Sequence, residues 1–469
     1  MYAFGTEKAT LALDDPSLRW LKRVSRDEGP IYLAVVAALE AAIRDGELTP
    51  GDRLPPQRTV AAVLGVDFTT VTRAYGAARS RGLVEGTVGR GTFIRGRSAE
   101  DEVGLVDLSM NLPPQPEGLS LANLLRDTTR AVLERTDVAT LMAYHPDAGS
   151  TAQRLAGATW LAPVLGEIAT DRLLLAPGAQ TALAVTLSTL LKQGAGVICE
   201  PLTYPGLIAV ARRLGLKLIA CPVDDEGFQP DALARRLSEG AAAVYCVPTM
   251  QNPTAVTMSL ARRREIARIV HHADAWIIED DPYSRLLEAP PPALAALAPE
   301  RTIHIATVSK TLTPGLRTAF LAAPAGEVVE RLAEGLRATV LMASPLTAAV
   351  TTHWIREGVA ERILEGVRAA ARTRRALAGA ILPTAFGMAE SLHVWLDLPA
   401  DRDPATLREL ARRRGLALVT ADAFAVGQPT RNGVRISLGA AGKAATLETA
   451  LRSVAALAAA GGERSRTIV

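Results

Sequence analysis

Thr307-Val308-Ser309-Lys310-Thr311-Leu312-Thr313-Pro314-Gly315-Leu316-Arg317 is the stretch on which the reading of this chain turns. An apolar, strand-like run from Thr302 to Val308 leads into it, and a Pro-Gly turn follows the lysine. A lysine held in a pocket loses its proton and attacks a carbonyl to form a Schiff base. Arg317, seven residues on, offers a rigid fork of donors suited to a phosphate. A ring with an aldehyde on one side and a phosphate on the other, as in pyridoxal 5'-phosphate, needs that pair.

Upstream of this stretch, from about residue 171, strand-like and helix-like runs alternate. Arg172 to Leu175, Gly196 to Cys199, Leu216 to Cys221, Ala243 to Val247 and Trp276 to Ile278 are short and apolar, with helical patterns between them. That alternation predicts a mainly parallel sheet covered on both faces. Ligands of such sheets sit at the carboxyl ends of the strands, and the polar clusters fall there. Gly178-Ala179-Gln180 follows a strand and opens a helix, which makes it a backbone anion site. Tyr204 has a ring to lay on a planar ligand, or to pack in the core. Asn252 stands at a strand end, able to bond a ring hydroxyl or simply to form a turn. Asp280 is placed to keep a pyridine nitrogen protonated, so that the ring stays an electron sink, or to cap a helix. Tyr283 is a donor for a phenolic oxygen. In this order, ahead of Lys310 and Arg317, the ligand readings reinforce one another.

The first hundred residues have a different grammar. Gly29-Pro30 opens a helix with Ile31, Val35, Leu39 and Ile43 on one face. A second helix runs from about Gln57 to Leu64 and stops at Gly65. Asp67 caps a third, whose early residues include Thr69, Thr70, Thr72 and Arg73. Val84 to Ile94, with Gly86, Gly89 and Gly91, reads as a two-stranded wing. From Phe68 to Arg97 the basic residues Arg73, Arg79, Arg81, Arg90, Arg95 and Arg97 face one acid, Glu85. Arginines and hydroxyls on such a helix and wing reach phosphates and base edges; the alternative is a small helical domain with a solvated basic face.

The run Leu48-Thr49-Pro50-Gly51-Asp52-Arg53-Leu54-Pro55-Pro56-Gln57-Arg58, with Leu64-Gly65-Val66, Thr69-Thr70-Val71 and Gly89-Arg90-Gly91-Thr92-Phe93, resembles the GntR family of winged-helix regulators. The resemblance implies that Arg58, Thr70, Arg73 and Gly91 contact DNA, with Thr69, Thr72 and Arg90 beside them. Phe68 departs from the polar or basic residue common at its position. Asn252-Pro253-Thr254, Asp280-x-x-Tyr283, Ser309-Lys310 and Arg317 together resemble fold-type-I enzymes dependent on pyridoxal phosphate, over roughly Asp107 to Ala460. That resemblance implies Lys310 as the Schiff-base lysine and Asp280 on the ring nitrogen. It implies Asn252 and Tyr283 on the ring oxygen, Tyr204 stacked on the ring, and Ala179, Gln180, Thr307, Ser309 and Arg317 around the phosphate. Tyr144 resembles the tyrosine that reaches the phosphate of a neighbouring subunit, and Arg435 the arginine that clamps a substrate carboxylate. Ala255 replaces the usual glycine after Asn-Pro-Thr, and Thr307 a common serine.

A winged helix ahead of an aminotransferase-like domain resembles the MocR subfamily of GntR regulators. The expected fold is multidomain. A winged helix-turn-helix spans 20–97, a linker 98–106, and an α/β fold-type-I aminotransferase-like domain 107–462, with a small α+β lobe from 107–145 and 347–462 and a large lobe from 146–346. Nine residues of linker reach at most about 30 Å. The expected function is a transcriptional regulator dependent on pyridoxal phosphate that binds operator double-stranded DNA as a homodimer and senses an amino compound or the cofactor itself. The alternative is a working aminotransferase with a DNA-binding head.

Composition sets the bounds. At 469 residues, with 48% hydrophobic and 22% charged residues, the chain is sized for two or three globular domains. A net charge of +3 confines nucleic-acid binding to a local basic surface. Three unpaired-looking cysteines, Cys199, Cys221 and Cys246, read as buried thiols rather than a disulfide framework. The histidines show no metal spacing. No run approaches membrane length and no signal core opens the chain, so a cytoplasmic location is expected.

Overall fold

The computed structural model describes residues 16–25, 29–45, 47–49, 51–81, 83–87, 91–94, 105–145 and 148–459. The chain divides into two compact units, residues 1–103 and 104–469. Arg90, linker residues 98–104 and the tail beyond 459 lie outside the described residues.

In the first unit, α1 (Ile31–Arg44), α2 (Gln57–Leu64) and α3 (Phe68–Ser80) pack around Leu39, Val60, Val71 and Tyr75. Gly65 ends α2 in the left-handed conformation, φ 63°, which lets the chain turn at once into the next helix. Asp67 then caps α3 by accepting from the Thr69 N–H at 2.7 Å. Val71, Ala74, Tyr75 and Ala78 turn inward, so Phe68, Thr69, Thr72, Arg73 and Gly76 face outward. The wing is β1 (Val84–Thr87) antiparallel to β2 (Gly91–Ile94). Gly91, the first residue of β2, has φ 117°, and a Cβ there would stand 2.9 Å from Arg53 Nε, so this position favours glycine. One element was not legible beforehand: a 3₁₀ helix, Pro16–Arg23, buries Trp20 in this core.

The second unit is built on a seven-stranded sheet. Its strands are β3 (Leu173–Ala176), β4 (Gly196–Cys199), β5 (Lys217–Ala220), β6 (Ala243–Cys246), β7 (Trp276–Asp281), β8 (Thr302–Thr307) and β9 (Ala319–Ala322). The order is β3-β9-β8-β7-β6-β4-β5, with β9 antiparallel to both neighbours and the other pairs parallel. Helices α4 (Ala179–Leu190), α5 (Pro205–Leu214) and α6 (Leu260–His272) cross between strands. All three cysteines are buried and free. Beyond the sheet, α7 (Pro345–Arg356) and the long α8 (Val359–Ile381) lead to a three-stranded sheet containing β10 (His393–Asp397), β11 (Val419–Thr420) and β12 (Gly433–Ser437), backed by α9 (Ala444–Ala459).

Three expectations need correction. The strand expected over Leu416 to Val419 is two: Leu416–Ala417 pairs with Val106–Asp107, and β11 pairs with β12. Val106, assigned to the linker, is therefore already inside the sheet structure of the second unit. The lobes also divide elsewhere. Leu119, Leu121 and Leu124, together with α7 and the first half of α8, pack into the large core, whereas the small-lobe core takes Leu108, then Ala378 onward. Trp354 of α7 fixes this join by donating its Nε1–H to Thr128 Oγ1 at 2.8 Å.

Candidate functional site

A cavity of about 440 Å³ opens at the carboxyl ends of the strands, between the large sheet and the small lobe. Lys310 enters from the loop after β8, and Asp280 from within β7. Asn252 comes from the loop after β6, and Arg435 reaches across from β12. Ala179, Gln180, Tyr204, Tyr283, Thr307, Ser309 and Arg317 also stand on the cavity wall. Gly178 lies just behind it, against Arg317.

The electrostatics of this wall follow from burial. Burial pushes Lys310 down to about 8, aided by Arg435 and Arg317 and resisted by Asp280. Its Nζ donates to the Asn111 carbonyl at 2.5 Å. Burial pushes Asp280 up to about 6, with Asp281 adding to the rise and a 2.7 Å hydrogen bond from Tyr245 opposing it. Asp280 Oδ1 is buried with no partner. Beneath it, His304 sits between Glu279, 3.0 Å away, and Asp281, 3.6 Å away. Burial alone would raise Glu279; His304, Arg263 and the backbone N–H groups of Leu294 and Ala295 outweigh it and hold the carboxylate ionised.

At the other end, Gly178 has φ 96°, and a Cβ there would stand 2.7 Å from the Arg317 guanidinium. Bare backbone N–H groups at the start of α4 and the Arg317 fork therefore share one cradle, the donor set a phosphate takes. Thr307 Oγ1 and Ser309 Oγ stand 2.9 Å apart beside it. Tyr204 donates to Gln180 Oε1 at 3.0 Å, which fixes the tilt of its ring. A Cβ on Gly206 would press to 2.2 Å from that ring, so glycine is needed there. Ala255 keeps the left-handed turn after Asn-Pro-Thr, φ 60°, without a glycine.

Arg435 is buried over the Phe424 ring, 5.1 Å from its centroid. It donates to Asn252 Oδ1 at 2.7 Å and to the Ser109 carbonyl. Tyr144 does not line this cavity and is 78% exposed.

Several residues escaped the sequence reading. Asn111 donates from Nδ2 to Tyr283 Oη at 2.8 Å and pairs with His393 Nδ1 at 2.9 Å. His393 Nε2 in turn faces the Gln251 carbonyl at 3.1 Å. Burial and then Arg435 push His393 down to about 3. The ring is therefore neutral, with its proton on Nε2 toward Gln251 and Nδ1 accepting from Asn111. Tyr283 consequently keeps its own proton to donate. Asn111 lies in a proline-rich stretch and Tyr245 in an apolar strand, so neither carries a local signal; only the tertiary pairing identifies them.

A winged helix and a lysine-bearing cavity of this build together define a DNA-binding regulator carrying an aminotransferase-like domain. Comparison with known proteins agrees. Residues 103–454 match the family described as aminotransferase class I and II, and residues 31–94 match bacterial regulatory proteins of the gntR family. The chain is 32% identical to the uncharacterized HTH-type transcriptional regulator YdeF of Bacillus subtilis, over 90% of this chain and 93% of that one. It is 28% identical to the probable rhizopine catabolism regulatory protein MocR of Rhizobium meliloti, over 66% and 68%. A solved kynurenine aminotransferase of Pyrococcus horikoshii shares the fold, with a TM-score of 0.71 at 24% identity over 77% of this chain and 93% of that one. The chain belongs to the MocR subfamily of GntR-type transcriptional regulators. Among the described residues, no helix is long and apolar enough to cross a membrane.

Proposed function

We propose that this regulator holds pyridoxal 5'-phosphate in the cavity around Lys310, senses an amino compound there, and works as a cytoplasmic homodimer on operator DNA. One observation carries the cofactor reading. Asp280 Oδ1, buried and unpartnered, lines the same cavity as a lysine with a lowered pKa and as the Arg317 cradle beside Gly178. A buried acceptor without a donor is costly unless a ligand supplies one.

When bound, the cofactor supplies an aldehyde that captures amines and a ring that takes up electrons. The protein's own residues do the rest. Lys310, with its pKa near 8, presents an appreciable unprotonated fraction at neutral pH and can carry a proton to and from a neighbouring carbon. Asp280 would accept from a protonated ring nitrogen. Tyr283 and the Asn252 amide would donate to a ring oxygen, and Tyr204 would cover one face. Arg317, with the backbone of Ala179 and Gln180 and the hydroxyls of Thr307 and Ser309, would hold the phosphate. Arg435 would take an effector's carboxylate, exchanging its present bonds to Asn252 and Ser109 for a bidentate pair. Tyr144, 78% exposed, would reach the phosphate of a partner subunit. In the first unit Arg58, Thr69, Thr70, Thr72, Arg73, Arg90 and Gly91 would meet the DNA. The wiring between site and heads requires that the effector favour one of two arrangements of the dimer.

The test is borohydride reduction of the protein after incubation with pyridoxal 5'-phosphate, followed by peptide mass mapping. A pyridoxyl mass on the Lys310 peptide is expected, and its loss in Lys310→Ala, with nonspecific DNA affinity retained. An unlabelled Lys310 would sink the cofactor reading. Lys310, Asp280 and Arg435 line one cavity, so a second reading, catalytic turnover, is separable. Sustained consumption of amino acid and 2-oxo acid without an operator footprint would favour it.

A further inference from the structure

We propose that Phe68 selects the DNA sequence, by packing its ring on the 5-methyl group of a thymine in the major groove. This rests on the regulator reading and concerns which side chain tells one base from another.

Phe68 is the first residue of α3, the second helix of the helix-turn-helix pair, and is 46% exposed. Among the described residues of the first unit it is the only large hydrophobic side chain left exposed. Val60, Val71, Tyr75 and Ile94 are in the buried core beneath the helix, and Phe68 is not among them. Its companions on the outward face are already engaged. The Thr69 hydroxyl donates to Asp67 at 2.5 Å. The Thr72 hydroxyl donates to Gln57 at 2.8 Å, with the Phe68 carbonyl at 3.0 Å. The Arg73 guanidinium lies over the Tyr32 ring, 4.2 Å from its centroid. Each hydroxyl has a single proton to give, and both protons have protein acceptors. Arg73, held over a ring, suits a phosphate better than a base edge.

The groove-facing start of the helix thus presents an aromatic ring with no hydrogen-bond donors, beside the half-buried Thr70. Of the groups that the four bases show in the major groove, one is apolar: the 5-methyl of thymine. Arg58 and Arg79, both exposed, supply the positive surface that brings a duplex to this face.

Uracil lacks only that methyl. Full-length protein would be used to enrich duplexes from a random library, and each thymine of the enriched site replaced singly by deoxyuridine. Removing one methyl-sized group from an apolar contact weakens binding about fourfold, from roughly 0.8 kcal/mol at 1.4 kcal/mol per factor of ten. The wild-type chain is expected to show that loss at one thymine position, Phe68→Ala to bind the two duplexes equally, and Phe68→Leu to keep part of the difference. No loss at any thymine in the wild type, or a loss that persists in Phe68→Ala, would overturn the proposal while leaving the regulator reading intact. Failure to enrich any sequence would overturn both.

Discussion

Asp280 is kept in a place that does not suit a charge. Its pKa moves from an ordinary 3.8 to about 6, so the fold prefers the protonated form. That preference stabilises fully below pH 4 and is lost as pH rises through 6. At pH 7 the cofactor-free protein then carries a penalty of about 3 kcal/mol, at roughly 1.4 kcal/mol per pH unit. Asp280→Asn, which keeps an acceptor for Tyr245, should make the cofactor-free protein more stable in urea at pH 7. The advantage should shrink toward pH 4, and cofactor affinity should fall. Asn111 gives a second test. Asn111→Ala strips a donor from both Tyr283 and His393, and a buried bond of this kind is worth about a factor of ten. A cofactor titration of the variant should show that loss with little change in DNA affinity. Lys310, Asp280, Arg317 and Arg435 were legible because each sits beside a strand pattern that locates it. Asn111 and His393 were not, because their meaning lies in a pairing 282 residues apart in sequence.

Among the elements, β7 is the instructive failure. The sequence reading ends it at Ile278, since Glu279-Asp280-Asp281 looks like a turn. The strand runs on to Asp281 because its acids find partners inside: Glu279 in His304 and two backbone N–H groups, Asp281 in the Ser284 N–H, and one oxygen of Asp280 in Tyr245. Periodicity detects apolar burial and is blind to buried charge with partners. By contrast Gly196–Cys199 and Gln57–Leu64 have the expected ends, because a glycine or a proline punctuates each. Helix α3 yields a prediction of its own. Gly76 is exposed, helical and has open space where a Cβ would be, so nothing in the unit requires glycine. It shares the outward face with Phe68 and Thr72, four residues apart. Gly76→Ala should stabilise the unit by about 1 kcal/mol in thermal denaturation, yet weaken specific DNA binding in a mobility-shift titration by standing the helix off the groove.

For the whole molecule, Arg435 matters because it belongs to the small lobe and is bonded to Asn252 outside it. On the proposed reading an effector carboxylate would compete for those same donors, and its arrival would alter how the lobes are fastened. Amino acids should therefore shift operator affinity more than their decarboxylated amines. Arg435→Gln should abolish that difference in a DNA-binding titration; a difference that survives would assign the carboxylate elsewhere.

The manner of that refastening is limited by α8. Arg368 grips the large lobe through the carbonyls of Arg285, Leu286 and Leu287, while Arg374 grips the small lobe through those of Leu438 and Ala441. A single rod about 35 Å long is thus bolted into both bodies. Only residues 369–373 separate the bolts, so the lobes cannot slide past one another. On the proposed reading, motion set off by an arriving amine would pass as torsion along this shaft, and a flexible pair of glycines spliced into its middle would uncouple amine binding from operator affinity.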